Sequence, residues 1–210
     1  MEWDDASLDD SGRPTRNMTN PPRHFTPEQR GELLSIARRA IRERVCSRSD
    51  SLPAPADPIL RAPGAAFVTL THAGALRGCI GYVQAIRPLA EAVAHCAASA
   101  ATGDPRFPPV TARELSALQI EISVLSPLRP AADPSEIQVG LHGLHISKDG
   151  RHGLLLPQVA SDLGWDRETF LRQACAKAGL PQDAWRRGAD IQVFTVERIE
   201  DGRPVGMDDP

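Results

Sequence analysis

The segment Leu76-Arg77-Gly78-Cys79-Ile80-Gly81 places a thiol, a guanidinium and two glycines within six residues. Strand alternation puts Arg77, Cys79 and Gly81 on one face and Leu76, Ile80 and Tyr82 on the other. A guanidinium two residues from a thiol favours the thiolate, so nucleophilic or redox chemistry at Cys79 is physically reasonable. Two glycines weaken a strand and need a reason, such as a bulge or close approach of a ligand at Gly78 and Gly81. The same residues also fit a plainer account. Cys79 is then a small buried hydrophobe, beside glycines that let a helix pack close.

Four further groups could join such a site. Asp104-Pro105-Arg106-Phe107 is followed by Pro108 and Pro109, which stiffen the loop that presents Asp104 and Arg106. That pair could orient Arg77, move a proton or hold an anionic ligand; equally, it could lock the loop as an ion pair. Glu121 and Ser123 share the polar face of an alternating strand. If that face carries Cys79, Glu121 is a candidate acid or base. Lys177 is one of two lysines beside 22 arginines. A ligand site needing a compact ammonium would retain it, and so would a helix C-terminus needing a cation. His142 and His145 point to opposite faces of a strand, which counts against a metal shared with His152. No Gly-rich phosphate loop, GxSxG elbow or paired CxxC occurs.

The elements that must hold these groups follow from periodicity. Thr26-Pro27-Glu28-Gln29 caps a helix in which Leu33, Leu34, Ala37, Ile41 and Val45 repeat on one side. Residues 47–64, with four prolines, read as an extended connector. Ala66–Leu70, a turn at Thr71–Gly74 and Ala75–Val83 form a hairpin. A helix from Pro88, a strand at Leu118–Leu125 and a second hairpin around Lys148-Asp149-Gly150 follow. After them come a short helix at Pro157–Leu163, a helix capped by Asp166 and ending at Gly179, a turn of helix at Pro181–Trp185 and a last strand at Ile191–Val196. The reading is one α+β domain with an antiparallel sheet and flanking helices, not a doubly wound parallel one.

Composition removes several function classes. The 210 residues carry a net charge of −3. Glu2, Asp4, Asp5, Asp9 and Asp10 against Arg13 and Arg16 already amount to −3 within residues 1–20, so the rest is neutral. A neutral body is not the footprint of a general nucleic-acid binder. No stretch approaches ~18 apolar residues, so no membrane span is expected. Cys46, Cys79, Cys96 and Cys175 are widely spaced and read as reduced thiols in a cytoplasmic protein. Residues 1–20 read as a disordered acidic extension, 21–200 as the domain and 201–210 as a loose tail. Met18 stands just ahead of the first helix signal and reads as a candidate natural start. An intact native peptide covering residues 1–17 would refute that.

Several of these segments, in this order, resemble the AMMECR family: Gly64–Leu70, Leu76–Gly81, Asp104-Pro105-Arg106-Phe107-Pro108-Pro109-Val110, Glu121–Leu125, Gly153–Val159, Gly164-Trp165-Asp166 and Lys177–Pro181. The similarity runs from about His24 to Glu200. It implies an α+β domain of two lobes with a cleft near the Cys79 signature. It also implies association with a Memo-type protein and a radical S-adenosylmethionine protein, as in the AmmeMemoRadiSam system. It supplies no reaction and no cofactor. Two functions follow as expectations. One is a thiol-dependent enzyme or enzyme subunit, with Cys79 as thiolate, Arg77 and Arg106 on an anionic group, and Glu121 or Asp104 moving a proton. The other is a non-catalytic module that binds a protein or nucleotide-like ligand through Arg77 and Arg106.

Overall fold

The computed structural model describes residues 24–47 and 55–202. The acidic extension, Met18 and the end of the tail lie outside them.

Helix α1 (Pro27–Cys46) starts as its sequence dictates. The Thr26 hydroxyl accepts the Gln29 N–H (3.3 Å), and the Gln29 side chain accepts the Thr26 N–H (2.9 Å). Leu33, Ile36, Ala37, Ala40 and Ile41 form its buried side. The Pro-rich connector is not wholly extended. Asp57 accepts the Ile59 N–H and Pro58 occupies the first helical position, so α2 (Pro58–Arg61) forms there and buries Leu60.

Strands β1 (Ala65–His72) and β2 (Ala75–Gly81) form the expected hairpin, closed by Ala73 and Gly74 in the left-handed region. Helix α3 (Leu89–Thr102) packs on both strands and on α1, burying Leu89, Val93, Cys96, Ala97 and Ala100. Gly78 permits this approach, since a Cβ there would stand 2.1 Å from the Ala100 carbonyl oxygen.

The remaining strands complete two sheets, where a single sheet was expected. They are β3 (Leu118–Leu125), β4 (Arg129–Pro130), β5 (Gly143–Lys148), β6 (Arg151–Leu155), β7 (Asp190–Phe194) and β8 (Val196–Glu200). The first sheet runs β2-β1-β3-β8 and the second β4-β7-β5-β6, with every pairing antiparallel. The run expected as one terminal strand is two. The Ser126 N–H donates to the Thr195 carbonyl and the Thr195 N–H to the Ser126 hydroxyl, both at 2.9 Å. The chain breaks at Thr195 and changes sheets.

Helices α4 (Pro157–Asp162) and α5 (Arg167–Lys177) belong to the second lobe, where Phe170, Leu171, Ala174 and Cys175 pack on Leu144, Ile146 and Val193. Each lobe therefore has its own core. A third, small cluster joins them. Ala65, Leu125 and Phe194 are its buried members, with Phe67, Leu154 and Leu156 packed against it. Phe67 and Leu125 lie on the side of the first sheet that α1 and α3 leave bare. Leu154 and Phe194 lie on the side of the second sheet away from α5. The lobes thus meet bare face to bare face.

Candidate functional site

Cys79 lies on β2, an edge strand of the first sheet, and the loop after α3 runs along that edge. A sheet edge leaves backbone groups unpaired, and here the loop supplies partners. Asp104 accepts the Cys79 N–H at 2.8 Å, and Arg106 Nη2 donates to the Cys79 carbonyl at 3.4 Å. Asp104 also accepts three donors from Arg106: the backbone N–H (3.1 Å), Nε (2.9 Å) and Nη2 (2.6 Å). The Asp104 side chain is only 2% exposed. The Arg106 guanidinium beside it holds its carboxyl well below the usual carboxylate range, against the opposing push of burial. Asp104 is thus a saturated, ionised clamp with no capacity left for moving a proton.

Arg77 does not stand beside the thiol. Leu70 is opposite Gly78, while the next residue, Thr71, is opposite Leu76. Arg77 is the extra residue of a β-bulge and leaves the alternation. Its Nε donates to Glu114 at 2.7 Å, Nη1 to the Pro108 carbonyl at 2.7 Å, and Nη2 to the Pro109 carbonyl and the second Glu114 oxygen. Thr111 donates its N–H and hydroxyl to the same carboxylate. The Arg77 hydrogen bond, with these donors, lowers the Glu114 pKa to about 2. The guanidinium that reaches Cys79 belongs to Arg106, whose side chain is 55% exposed.

The thiol faces the other way. Cys79 is opposite Thr69, and Thr69 is opposite Glu121, so the three side chains form a row across β2, β1 and β3 on the bare face. The Thr69 hydroxyl donates to Cys79 Sγ at 3.3 Å. Glu121 lies two strand spacings from Cys79, about 10 Å. It accepts Arg198 Nη2 at 2.6 Å, the Ser123 hydroxyl at 3.2 Å and Gln158 Nε2 at 3.4 Å. Arg198, held also by Glu200, stays firmly protonated because its first partner is the Glu121 carboxylate. Gln158 comes from α4, so the second lobe reaches this row directly. It also donates to Ser123, while its own Oε1 is buried with no partner among the described residues.

The other candidates lie elsewhere or have plain structural reasons. A Cβ on Gly81 would fall 2.2 Å from the Phe67 ring, which covers that glycine. Lys177 is exposed at the C-terminal end of α5. A Cβ on Gly153 would strike the Lys177–Ala178 backbone, so α5 covers the face of the second sheet that Gly153 shares. Leu154, one residue on, faces the lobe junction, which puts Lys177 on the far side. His142 is buried and accepts the Gln138 N–H, and burial lowers its pKa. His145 is bonded to Gln192, with its ring 6.2 Å from that of His152. Among the described residues no three His, Cys, Asp or Glu side chains cluster as metal ligands, and no helix is long and apolar enough to cross a membrane.

Sequence reasoning set Ser123 beside Glu121 on one strand face but missed Thr69, Gln158, Arg198 and Glu114. Alternation within Phe67–Thr71 carried a signal for Thr69. Gln158 and Arg198 carried none, because strand order and lobe docking bring them in.

Two antiparallel sheets meeting by their bare faces, with an edge-pinned cysteine beside the junction, define an α+β protein of two lobes. The AMMECR1 family model matches residues 34–199, and the chain belongs to that family. It is 46% identical over 171 residues to a protein of Methanothermobacter thermautotrophicus, covering 77% of this chain and 89% of that one. It is 44% identical to a protein of Thermococcus kodakarensis, covering 83% and 91%. Among solved structures, an uncharacterised protein of Pyrococcus horikoshii, PH0010, aligns with a TM-score of 0.78 and 41% identity over 85% of this chain and 94% of that one.

Proposed function

We propose that this chain is a thiol-dependent enzyme or enzyme subunit whose cleft lies on the bare face of the first sheet. The observation that carries the reading is the setting of Cys79. Its backbone is fixed on both sides by Asp104 and Arg106, while among the described residues its sulfur receives only the Thr69 hydroxyl. Cys96 and Cys175 are buried, and burial pushes the Cys96 thiol up to about 12. Cys79 acts as the nucleophile, Arg106 supports its thiolate and holds an anionic group, and Glu121 exchanges a proton through bound substrate or water. The family resemblance supports work alongside a Memo-type protein and a radical S-adenosylmethionine protein.

Alkylation by iodoacetamide, followed residue by residue by peptide mass spectrometry, tests the reading. Cys79 is expected to be alkylated in the folded chain, whereas the buried Cys96 and Cys175 stay unmodified. Thr69→Val and Arg106→Ala slow its alkylation. A Cys79 that stays unmodified in the folded chain overturns the nucleophile.

One observation favours a recognition module instead. Arg106 is half exposed, and its Nη1 has no partner among the described residues. Capture of the Memo-type or radical protein that is lost in Arg106→Ala and unchanged in Cys79→Ser would decide for that reading.

A further inference from the structure

The outer side of α1 carries a stripe that no described element covers. Gly31, Leu34, Ser35, Arg38, Arg39 and Arg42 line one shallow groove there, at the spacing of a single helix face. Arg38 pairs with Asp201, whereas Arg39 and Arg42 have no hydrogen bond or ion pair among the described residues. Leu34 gives the groove an apolar floor. Gly31 stands in open space, with nothing within 4 Å of where a Cβ would be. Glycine weakens an exposed helical turn relative to alanine, and nothing described repays that weakness. Close approach of another segment would explain it.

One segment of this chain has the matching character. Glu2, Asp4, Asp5, Asp9 and Asp10 hold the chain's charge imbalance, and Trp3 and Leu8 stand among them. The described residues begin just before α1, at His24. Fourteen residue-to-residue steps lead from Asp10 to His24 and span up to about 46 Å. The helix rises only about 23 Å from Pro27 to Arg42. The reach is ample, and a tethered segment docks at a high effective concentration.

We propose that residues 2–10 bind this groove of their own chain. Trp3 and Leu8 lie on Leu34 and over Gly31, and the carboxylates pair with Arg39 and Arg42. A segment too polar to fold alone takes its order from the groove.

The test is limited digestion of the full chain with a protease that cleaves before Asp, monitored at Asp9. The variant is Arg39→Glu/Arg42→Glu, with the milder Arg39→Gln/Arg42→Gln beside it should the reversal disturb folding. Cleavage of the unchanged chain is expected to be at least about fivefold slower than in either variant, because digestion follows the undocked population. The protection weakens in high salt and is unchanged on dilution. Equal rates in all three chains overturn the proposal, as does protection that survives both variants. Protection that disappears on dilution also overturns it, because a second copy is then the occupant.

Discussion

Two polar groups meet at β2, and they differ in how many of their hydrogen bonds close within the protein. Along the edge, Arg77, Glu114 and Asp104 make nearly every bond they can, to each other, to Arg106 and to loop carbonyls, and Arg106 alone of the four keeps a nitrogen, Nη1, without a partner among the described residues. On the bare face, among the described residues, Cys79 has one donor, Glu121 holds Arg198 by one oxygen at 2.6 Å while its other oxygen has only the longer contacts to Ser123 and Gln158, and Gln158 keeps an orphaned oxygen. Saturated groups fix a backbone, whereas groups with spare bonding capacity can meet a ligand. The edge therefore reads as scaffold and the face as site, although the edge holds more charge.

The largest expected effect tests the scaffold half. Asp104→Ala removes the buried partner of a half-exposed ion pair and orphans the Cys79 N–H, at a cost of about 3 kcal/mol in urea unfolding. A loss below about 1 kcal/mol would instead be that of an exposed pair and would break the comparison. Gly78→Val, which drives a side chain into the Ala100 carbonyl, should lose about 3 kcal/mol. Arg77→Ala should cost about 2 kcal/mol, because charged hydrogen bonds to Glu114 and the loop are lost. It should leave the alkylation rate of Cys79 unchanged. A slowed Cys79 would return Arg77 to the site.

Acid titration sharpens the same division. Asp104 and Glu114 both have folded values below their ordinary 3.8 and 4.5, through their arginine partners. Lowered carboxylate values stabilise the fold above the unfolded value, and the contribution is lost as pH falls. Unfolding free energy should decline from about pH 5 downward, with a shallower slope in Glu114→Gln. The smallest effect is expected at Lys177→Ala, within about 0.5 kcal/mol. It should not alter Cys79.

Much of the frame was legible in the chain. Thr26 and Gln29 announced α1, Asp166 announced α5, and alternation located β3 because one face of it is buried. Gly78 and Gly81 were marked as needing a bulge, a ligand or a closely packed helix; α3 packs on Gly78 at Ala100, whereas Gly81 lies under the Phe67 ring of β1. The break at Thr195 was not legible, since a strand that changes sheets keeps its apolar pattern across the change. The glycines of β2 signalled a bulge but not its place at Arg77, because period-two reasoning carries no information on where a register slips.

Sequence by itself determined the elements, the family resemblance and the short list containing Cys79, Asp104, Arg106 and Glu121. Those follow from local propensity, capping and motif order, which act over a few residues. Only the tertiary structure decided that Arg106 and not Arg77 reaches the Cys79 backbone, and that Asp104 is a clamp. It alone set Thr69 between Cys79 and Glu121 and brought Gln158 and Arg198 to the same face. These are pairings between residues up to 77 positions apart. Strand order and lobe packing create them, and no local spacing encodes either.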